Sequence, residues 1–190
     1  MSAGVTPSTR ITAVILAGGA SRRMGTDKSL LPIEGKPLIE HIASQLAPRF
    51  ARVCISANEP HKYAFLGLPI IPDAVPNEGP LMALASVLRA VDTPQVFVMA
   101  CDMPVVPVHA LERLLELAEE DPCVAARSGG GLDPLFAVYA RQQLALLEGL
   151  LAEGKRRMYD LLEADPPVVL ELEERLPNLN RPEDYARFVG

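Results

Sequence analysis

The segment from Leu16 to Lys28, LAGGASRRMGTDK, combines the residue types that bind a polyphosphate. Glycine lets the backbone turn tightly and brings its N–H groups close to a ligand. Arginine and lysine supply the positive charge that phosphate oxygens need. The glycines and cations of the segment are Gly18, Gly19, Arg22, Arg23, Gly25 and Lys28. Because the largely apolar run 11–16 leads directly into them, we predict a phosphate-binding loop after a buried strand.

The spacing of these residues excludes two common phosphate-binding motifs. A P-loop has its lysine directly after the last glycine, whereas here two residues separate Gly25 from Lys28. The dinucleotide motif G-x-G-x-x-G fails because Gly18 and Gly19 are adjacent. The segment instead resembles the signature L-x-G-G-x-x-x-R-M-G-x-D-K of nucleotidyltransferases, which couple a nucleoside triphosphate to a phosphorylated acceptor.

The composition favours one domain that binds a small anionic ligand. The chain has 190 residues, of which 49% are hydrophobic, and this is enough for a substantial core. Its net charge of −6 argues against nucleic acid or a membrane surface as a partner. No signal-peptide pattern or membrane-spanning stretch stands out. We expect a flexible tail over 1–10, a nucleotidyltransferase domain over 11–190, and a cytoplasmic location.

The cysteines and histidines show no catalytic or metal-binding pattern. Cys54, Cys101 and Cys123 are far apart and lie among apolar residues, without C-x-x-C or His/Cys ligand spacing. We therefore expect buried, reduced thiols. The three histidines are scattered along the chain, and we assign them no catalytic role.

Strand and helix patterns alternate along the chain, which predicts an α/β domain with a mainly parallel sheet. The predicted strands cover 12–16, 52–56, 69–71, 95–100, 123–126, 135–139 and 168–172, with a short extended piece over 29–34. Helices are predicted to begin near Pro37 and Pro80 and to cover 108–120, 142–151, 156–163 and 182–188.

Polar residues follow three of the predicted strands at their carboxyl ends. The glycine-rich segment follows Leu16, Ser56 and Asn58 stand at the end of the second strand, and Asp102 follows the apolar run 95–100. Ligands of open α/β sheets bind outside the carboxyl ends of the strands. We therefore expect these residues to converge on one crevice.

These residue types suit the transfer of a nucleotidyl group. The protein must hold two anions together and bind a divalent cation, and Mg²⁺ takes one or two carboxylates plus phosphate oxygens. Asp102 is the best candidate ligand, because a carboxylate after so apolar a strand is costly without a partner. Lys28 and Arg22 are the candidate phosphate partners, and Asp27 is expected to shape the loop.

Two further positions suit nucleotide contacts. Asp73 closes the third predicted strand, where its carboxylate can accept from a base N–H or a ribose hydroxyl. The backbone N–H groups at Gly79 can face a ligand, although a glycine at the start of a helix explains this residue nearly as well.

Beyond the first segment, five other motifs in this order resemble the molybdenum cofactor guanylyltransferases, the MobA-like branch of the nucleotidyltransferases. They are GKPLIEH, the D-x5-GPL segment from Asp73, CDMP, DPLFAVY and LNRPEDY. The resemblance covers most of residues 11–188. It implies a single Rossmann-like three-layer sandwich and the transfer of GMP from GTP to the terminal phosphate of molybdopterin, with Mg²⁺ as cofactor.

The resemblance also implies roles for individual residues. The residues expected to bind the nucleotide are Leu16, Ala17, Gly18, Gly19, Lys28, Ser56, Asp73, Gly79 and Asp102. Asp102 would hold Mg²⁺. Arg156 and Arg157 fall where the family places residues near the acceptor, and Asn180 would approach the same side or cap the last helix. A transient protein partner for cofactor handover is also compatible with the family.

The chain departs from the family pattern at two positions. Ser56 stands where guanylyltransferases often have asparagine, with Asn58 two residues later, so either side chain is a candidate to read the base. Asp133 precedes Pro134, where relatives commonly have His or Gln. Three alternatives remain open: a cytidylyltransferase for the same cofactor, a nucleotidyltransferase for another phospho-acceptor, and a non-catalytic GTP- or cofactor-binding adaptor.

Overall fold

Apolar runs and amphipathic segments alternate along the chain and fold into strands and helices. The computed structural model describes residues 7–17 and 27–189. The strands are β1 (Ile11–Leu16), β2 (Pro32–Ile33), β3 (Lys36–Pro37), β4 (Val53–Ser56), β5 (Ile70–Ile71), β6 (Gln95–Ala100), β7 (Cys123–Ser128), β8 (Gly131–Ala140) and β9 (Val168–Glu171). The helices are α1 (Leu38–Leu46), α2 (Pro60–Tyr63), α3 (Pro80–Ala90), α4 (Val108–Leu117), α5 (Leu144–Ala152), α6 (Met158–Ala164) and α7 (Pro182–Val189).

Seven strands form one sheet in the order β5-β4-β1-β6-β8-β7-β9. The four strands from β5 to β6 are parallel, β8 runs antiparallel to β6 and β7, and β9 is parallel to β7. Every residue of β1 is buried, as expected of a central parallel strand that is covered on both faces. The predicted α/β fold with a mainly parallel sheet is confirmed.

Two apolar layers cover the sheet. The core on one face is formed with α1 and α4, and the core on the other face with α3, α5 and α6. Phe97 of β6 lies at the centre of the first layer, where it stacks on Phe50 at a centroid distance of 5.5 Å and meets the edge of Phe136 at 5.2 Å. The result is the three-layer sandwich that the resemblance implies.

Some elements differ from the sequence-based expectation, and α2 was not predicted at all. The extended piece predicted over 29–34 is a 3₁₀ turn over Lys28–Leu30 followed by β2, because the Asp27 carboxylate accepts from the Ser29 N–H and starts a turn. The strand predicted over 135–139 extends over all of β8. The first half of β8 was not predicted, because polar and proline residues interrupt the apolar run there.

The start of the described chain is attached to the domain. The Ser8 N–H donates to the Arg49 carbonyl at 2.8 Å, and the Ala51 N–H donates to the Ser8 carbonyl at 2.9 Å. The expected flexible tail therefore stays a prediction for residues 1–6, which lie outside the described ranges. Within 7–17 and 27–189, no helix has the length and apolar character needed to cross a bilayer.

Candidate active site

The carboxyl ends of β1, β4 and β6 lie side by side at one edge of the sheet. The Ala17 N–H donates to the Ser56 carbonyl at 2.9 Å, and the Cys101 N–H donates to the Leu16 carbonyl at 3.1 Å. These bonds continue the parallel ladders past the last residues of the strands. The positions singled out at three separate strand ends are thereby brought together.

The predicted phosphate loop begins and ends at this edge. Leu16 is buried and Ala17 is half-buried where the chain leaves β1, and Asp27 is half-buried where it returns. Gly18, Gly19 and Arg22 lie outside the described residues, so their assignment to nucleotide binding and catalysis stays a prediction.

Lys28, Asp102 and Asn180 come from three distant parts of the sequence and lie near one another. The Lys28 ammonium donates to Asn180 Oδ1 at 3.4 Å. The Leu179 N–H donates to the main-chain carbonyl of Asp102 at 2.8 Å, which ties the segment before α7 to the exit of β6. A candidate phosphate ligand, a candidate metal ligand and a candidate acceptor ligand are therefore neighbours.

The electrostatics of Asp102 result from two opposing effects. Burial raises the pKa of the Asp102 carboxyl above its usual value, and the nearby Lys28 charge opposes that rise. Burial, together with the neighbouring Asp102 charge, also raises the pKa of the Cys101 thiol to about 12, so this thiol is neutral. A partly desolvated carboxylate gains from a bound cation, and on these physical grounds Asp102 is a candidate metal ligand.

Asn58 and Asp73 form a reciprocal pair at the ends of β4 and β5. Asn58 Nδ2 donates to Asp73 Oδ2 at 2.8 Å, and the Asp73 N–H donates to Asn58 Oδ1 at 2.9 Å. Ser56, the other candidate for reading the base, is only 3% exposed in the last position of β4. The amide and carboxylate of the pair, rather than the Ser56 side chain, are therefore the groups at the exposed edge.

Gly79 begins α3 in close contact with the segment before α6. Its φ of +84° belongs to the region that favours glycine, and an added Cβ would lie 2.9 Å from the Arg156 carbonyl oxygen. The same carbonyl accepts from the Leu81 N–H at 3.3 Å. Gly79 thus allows the start of α3 to lie close to the main chain at Arg156. Its contact with a nucleotide stays a prediction.

We expect Gly79→Ala to lower the free energy of unfolding by about 1–3 kcal/mol, because the new Cβ meets both an unfavourable φ and a backbone oxygen. Gly149→Ala is the matched control, since Gly149 lies in α5 with no atom near the position of the new Cβ. It should be neutral or stabilising. Urea denaturation of both variants tests this, and equal changes would contradict it.

The Arg156 side chain, a candidate for acceptor binding, is held by the protein itself. Its guanidinium pairs with Glu78 and donates to the Leu151 carbonyl at 2.9 Å and the Lys155 carbonyl at 2.7 Å. It therefore joins the loop before α3 to the end of α5. Its contact with an acceptor stays a prediction.

The neighbouring Arg157 caps α6 together with Asp160. The Asp160 carboxylate accepts from the Arg157 guanidinium at 2.7 Å and from the N–H groups of Arg157 and Arg156 at 2.9 and 3.2 Å. These bonds, the Arg157 side chain first among them, lower the pKa of Asp160 to about 2.

We expect the contribution of Asp160 to stability to depend on pH. Its pKa is lower in the folded protein than in the unfolded chain, where Asp titrates near about 3.9. The contribution is therefore complete above about pH 4 and is lost as the pH falls toward about 2. Urea midpoints of the wild type and Asp160→Asn should converge over this range, and a constant difference between them would contradict the expectation.

The sequence of this chain matches a known protein family. The profile described as "MobA-like NTP transferase domain" matches residues 13–168, which is most of the chain. The chain belongs to this family. A molybdenum cofactor guanylyltransferase from Cereibacter sphaeroides is 36% identical over 94% of this chain and 95% of its own length. One from Pseudomonas entomophila is 37% identical over 90% and 93%.

One solved structure shares the fold of this MobA-like domain over nearly the whole chain. The crystal structure of molybdopterin-guanine dinucleotide biosynthesis protein A from Archaeoglobus fulgidus covers 94% of this chain and 96% of its own length. The TM-score is 0.79 and the sequence identity is 24%. The Rossmann-like sandwich is thereby shown independently of the sequence motifs.

Asp102 is the candidate metal ligand of this MobA-like site, and its binding of an ion stays a prediction. In the ranges 7–17 and 27–189, no three His, Cys, Asp or Glu side chains are clustered for an ion. A cation held by Asp102 would therefore take its other ligands from phosphate oxygens and water, which is the usual arrangement for Mg²⁺ with a nucleotide. The single half-buried carboxylate fits such an ion.

Sequence reasoning missed several polar residues around the site. Tyr63 of α2 contacts Ala17 before and Asp27 and Ser29 after residues 18–26 of the predicted phosphate loop, Lys62 pairs with Asp27, and Glu78 pairs with Arg156. No motif marks them, because their contacts cross long stretches of sequence. Asp133, noticed only as a departure from the family, faces Ala126 across the β7–β8 ladder, and its Oδ2 is buried with no hydrogen-bond partner in the described part of the chain.

Proposed function

We propose that this protein is a Mg²⁺-dependent guanylyltransferase that transfers GMP from GTP to the terminal phosphate of molybdopterin. The names of the two relatives at 36% and 37% identity support this substrate pair. The observation that carries the proposal is the proximity of Lys28, Asp102 and Asn180. A triphosphate donor and a phosphorylated acceptor need a cation, a metal ligand and an acceptor ligand within one small volume.

In the proposed reaction an oxygen of the acceptor phosphate attacks the α-phosphorus of GTP. The new O–P bond forms as the bond from the α-phosphorus to the bridging oxygen of the β-phosphate breaks, and pyrophosphate leaves. A phosphate oxygen is already an anionic nucleophile, so the protein does not have to remove a proton. Its task is to hold two anions in line and to stabilise the charge that develops.

Lys28 and Arg22 are proposed to bind the phosphates, and Asp102 is proposed to hold Mg²⁺. When bound, Mg²⁺ would neutralise phosphate oxygens and orient the triphosphate for attack. The Lys28 ammonium already lies close enough to Asp102 to affect its pKa. A triphosphate placed beside it would therefore contact both the ammonium and the carboxylate-bound ion.

The base and the ribose are proposed to lie between the end of β1 and the Asn58–Asp73 pair. Leu16, Ala17, Gly18 and Gly19 would line this side of the nucleotide. Asp73 would accept from the N–H groups of guanine, since its carboxylate is fixed by Asn58 in one orientation. Cytosine presents an amino group but no ring N–H on its pairing edge, so the same carboxylate would bind it less well.

On the acceptor side, Arg156 and Asn180 are proposed to contact molybdopterin. Asn180 stands next to Lys28, where the acceptor phosphate would have to approach the donor. For Arg156, a contact with the acceptor would require exchange of its present partners at Glu78 and α5. A protein partner that receives the product would bind at the same edge of the sheet.

The cytoplasm is the proposed site of the reaction. The cysteines Cys54, Cys101 and Cys123 are all free, and each thiol has a pKa raised by burial. Unpaired, protonated thiols suit a reducing compartment.

A nucleotide panel tests the proposal. GTP, CTP, ATP and UTP are each added with Mg²⁺, and selective binding is read as a rise of several degrees in Tm. Turnover with molybdopterin is then measured as pyrophosphate release and dinucleotide formation. A selective response to GTP supports the proposal, whereas a selective response to CTP identifies a cytidylyltransferase. Binding of GTP without pyrophosphate release in the presence of molybdopterin would contradict the proposal and indicate a non-catalytic GTP-binding adaptor.

A further inference from the structure

The hydroxyl of Tyr63 contacts residues on both sides of the predicted phosphate loop. Tyr63 is the last residue of α2 and is only 1% exposed. Its oxygen lies 3.3 Å from the carbonyl oxygen of Ala17, where the chain leaves β1, and 3.0 Å from Ser29 Oγ, where the chain has returned. Asp27 Oδ2 lies 3.4 Å from the same oxygen. One buried hydroxyl therefore contacts residues on both sides of residues 18–26.

The hydrogen-bond arrangement makes Tyr63 the donor in these contacts. Ser29 Oγ donates its proton to Asp27 Oδ1 at 2.7 Å, so it can only accept from Tyr63. The Ala17 carbonyl and the Asp27 carboxylate are acceptors as well. The single proton of the Tyr63 hydroxyl can therefore be directed to an acceptor on either side of residues 18–26, the Ala17 carbonyl on one side and Ser29 Oγ or Asp27 Oδ2 on the other.

The return side of the loop is held from a second direction. Lys62 forms an ion pair with the Asp27 carboxylate, and the two side chains are 25% and 24% exposed. Asp27 also accepts from the Ser29 N–H at 3.0 Å. Lys28 stands between these two residues, so its main chain is fixed on both sides.

We propose that Tyr63 is a positioning residue for the bound triphosphate. We assign its hydroxyl to contacts with the protein, not to a contact with the triphosphate. Its hydroxyl holds Ala17, on the nucleotide side, at a fixed distance from Asp27 and Ser29, which flank Lys28. Lys62 supports the same arrangement through Asp27. The inference rests on the proposed binding of GTP at this loop, and it adds two residues of α2 to the machinery that aligns the phosphates.

The test compares Tyr63→Phe with Tyr139→Phe. The change removes only a hydroxyl and keeps the ring in the core. Tyr139 is also fully buried, and its hydroxyl donates to the Pro134 carbonyl at 2.8 Å; among the described residues it forms no hydrogen bond with Ala17, Asp27 or Ser29. Both variants should therefore lose similar stability. Calorimetry with GTP and Mg²⁺ should show about tenfold weaker binding for Tyr63→Phe, the effect of about one hydrogen bond, and no change for Tyr139→Phe.

A second readout needs no nucleotide. Hydrogen exchange of the amides over 27–31 should be faster in Tyr63→Phe than in wild type and unchanged in Tyr139→Phe. If the wild type fails to bind GTP, the proposed function fails, and this exchange experiment still decides whether Tyr63 holds the ends of the loop. Unchanged exchange in Tyr63→Phe, or GTP affinity equal to that of wild type, would overturn the inference.

Lys62 provides a variant outside the core. Lys62→Gln removes the ion pair with Asp27, and Lys62→Arg keeps a positive charge there. We expect weaker GTP binding for Lys62→Gln and recovery for Lys62→Arg, which separates positioning from a loss of folding. If both Lys62 variants bind GTP as tightly as wild type does, Lys62 has no role in positioning Asp27 for GTP binding.

Discussion

Asp102→Asn is expected to lower kcat for pyrophosphate release by about 10²- to 10³-fold or more, because it removes the only carboxylate that we assign to the metal. The fold should be unaffected. Burial raises the pKa of the Asp102 carboxyl, so its charged form is disfavoured in the folded protein. A neutral amide of the same size relieves that cost, and the variant should be at least as stable as wild type in urea.

The control for this substitution is Asp92→Asn. Asp92 is exposed and forms only a 3.9 Å pair with Arg52 at the surface, so its removal should change neither activity nor stability measurably. Removing divalent ions with a chelator should abolish wild-type turnover, and Mg²⁺ should restore it. Wild-type activity in Asp102→Asn with Mg²⁺ present would show that the metal is held elsewhere.

Lys28→Met is expected to lower kcat/KM for GTP by about 10²-fold or more, because it removes a charge next to the phosphates in a partly desolvated site. The length of the side chain is retained, so packing changes little. Lys28→Arg keeps the charge but replaces a compact ammonium with a planar fork. It should therefore recover part of the lost activity. Steady-state kinetics with varied GTP and saturating acceptor separates an effect on KM from an effect on kcat.

Lys36→Met serves as the matched control for the loss of a lysine charge. Lys36 is exposed on β3 and pairs at 3.6 Å with Glu40, which lies four residues later in α1. Its loss should leave kcat/KM unchanged. Similar losses of activity in Lys28→Met and Lys36→Met would point to a general effect of net charge, and the assignment of Lys28 to the phosphates would then be wrong.

The positions of the elements follow largely from local sequence patterns. The buried strands β1 and β6 coincide with largely apolar runs, and α3 begins directly after Gly79 at Pro80, where a proline is favoured. Such signals depend on neighbours within a few residues, so one sequence is enough to detect them. The antiparallel course of β8 was not predictable in this way, because its partners on both sides are decided by packing.

The residues of the site also divide into those that local sequence patterns predict and those that only tertiary packing brings together. The sequence by itself determined the residue types of the phosphate loop and the placement of Asp102 at the end of an apolar strand, since strand ends of a parallel sheet share one edge. Only the tertiary structure decided that Lys28 meets Asn180, that Asn58 holds Asp73, and that Tyr63 joins the ends of the loop. These contacts join residues 15 to 152 positions apart. No local period encodes them, because they depend on how the helices and loops pack onto the finished sheet.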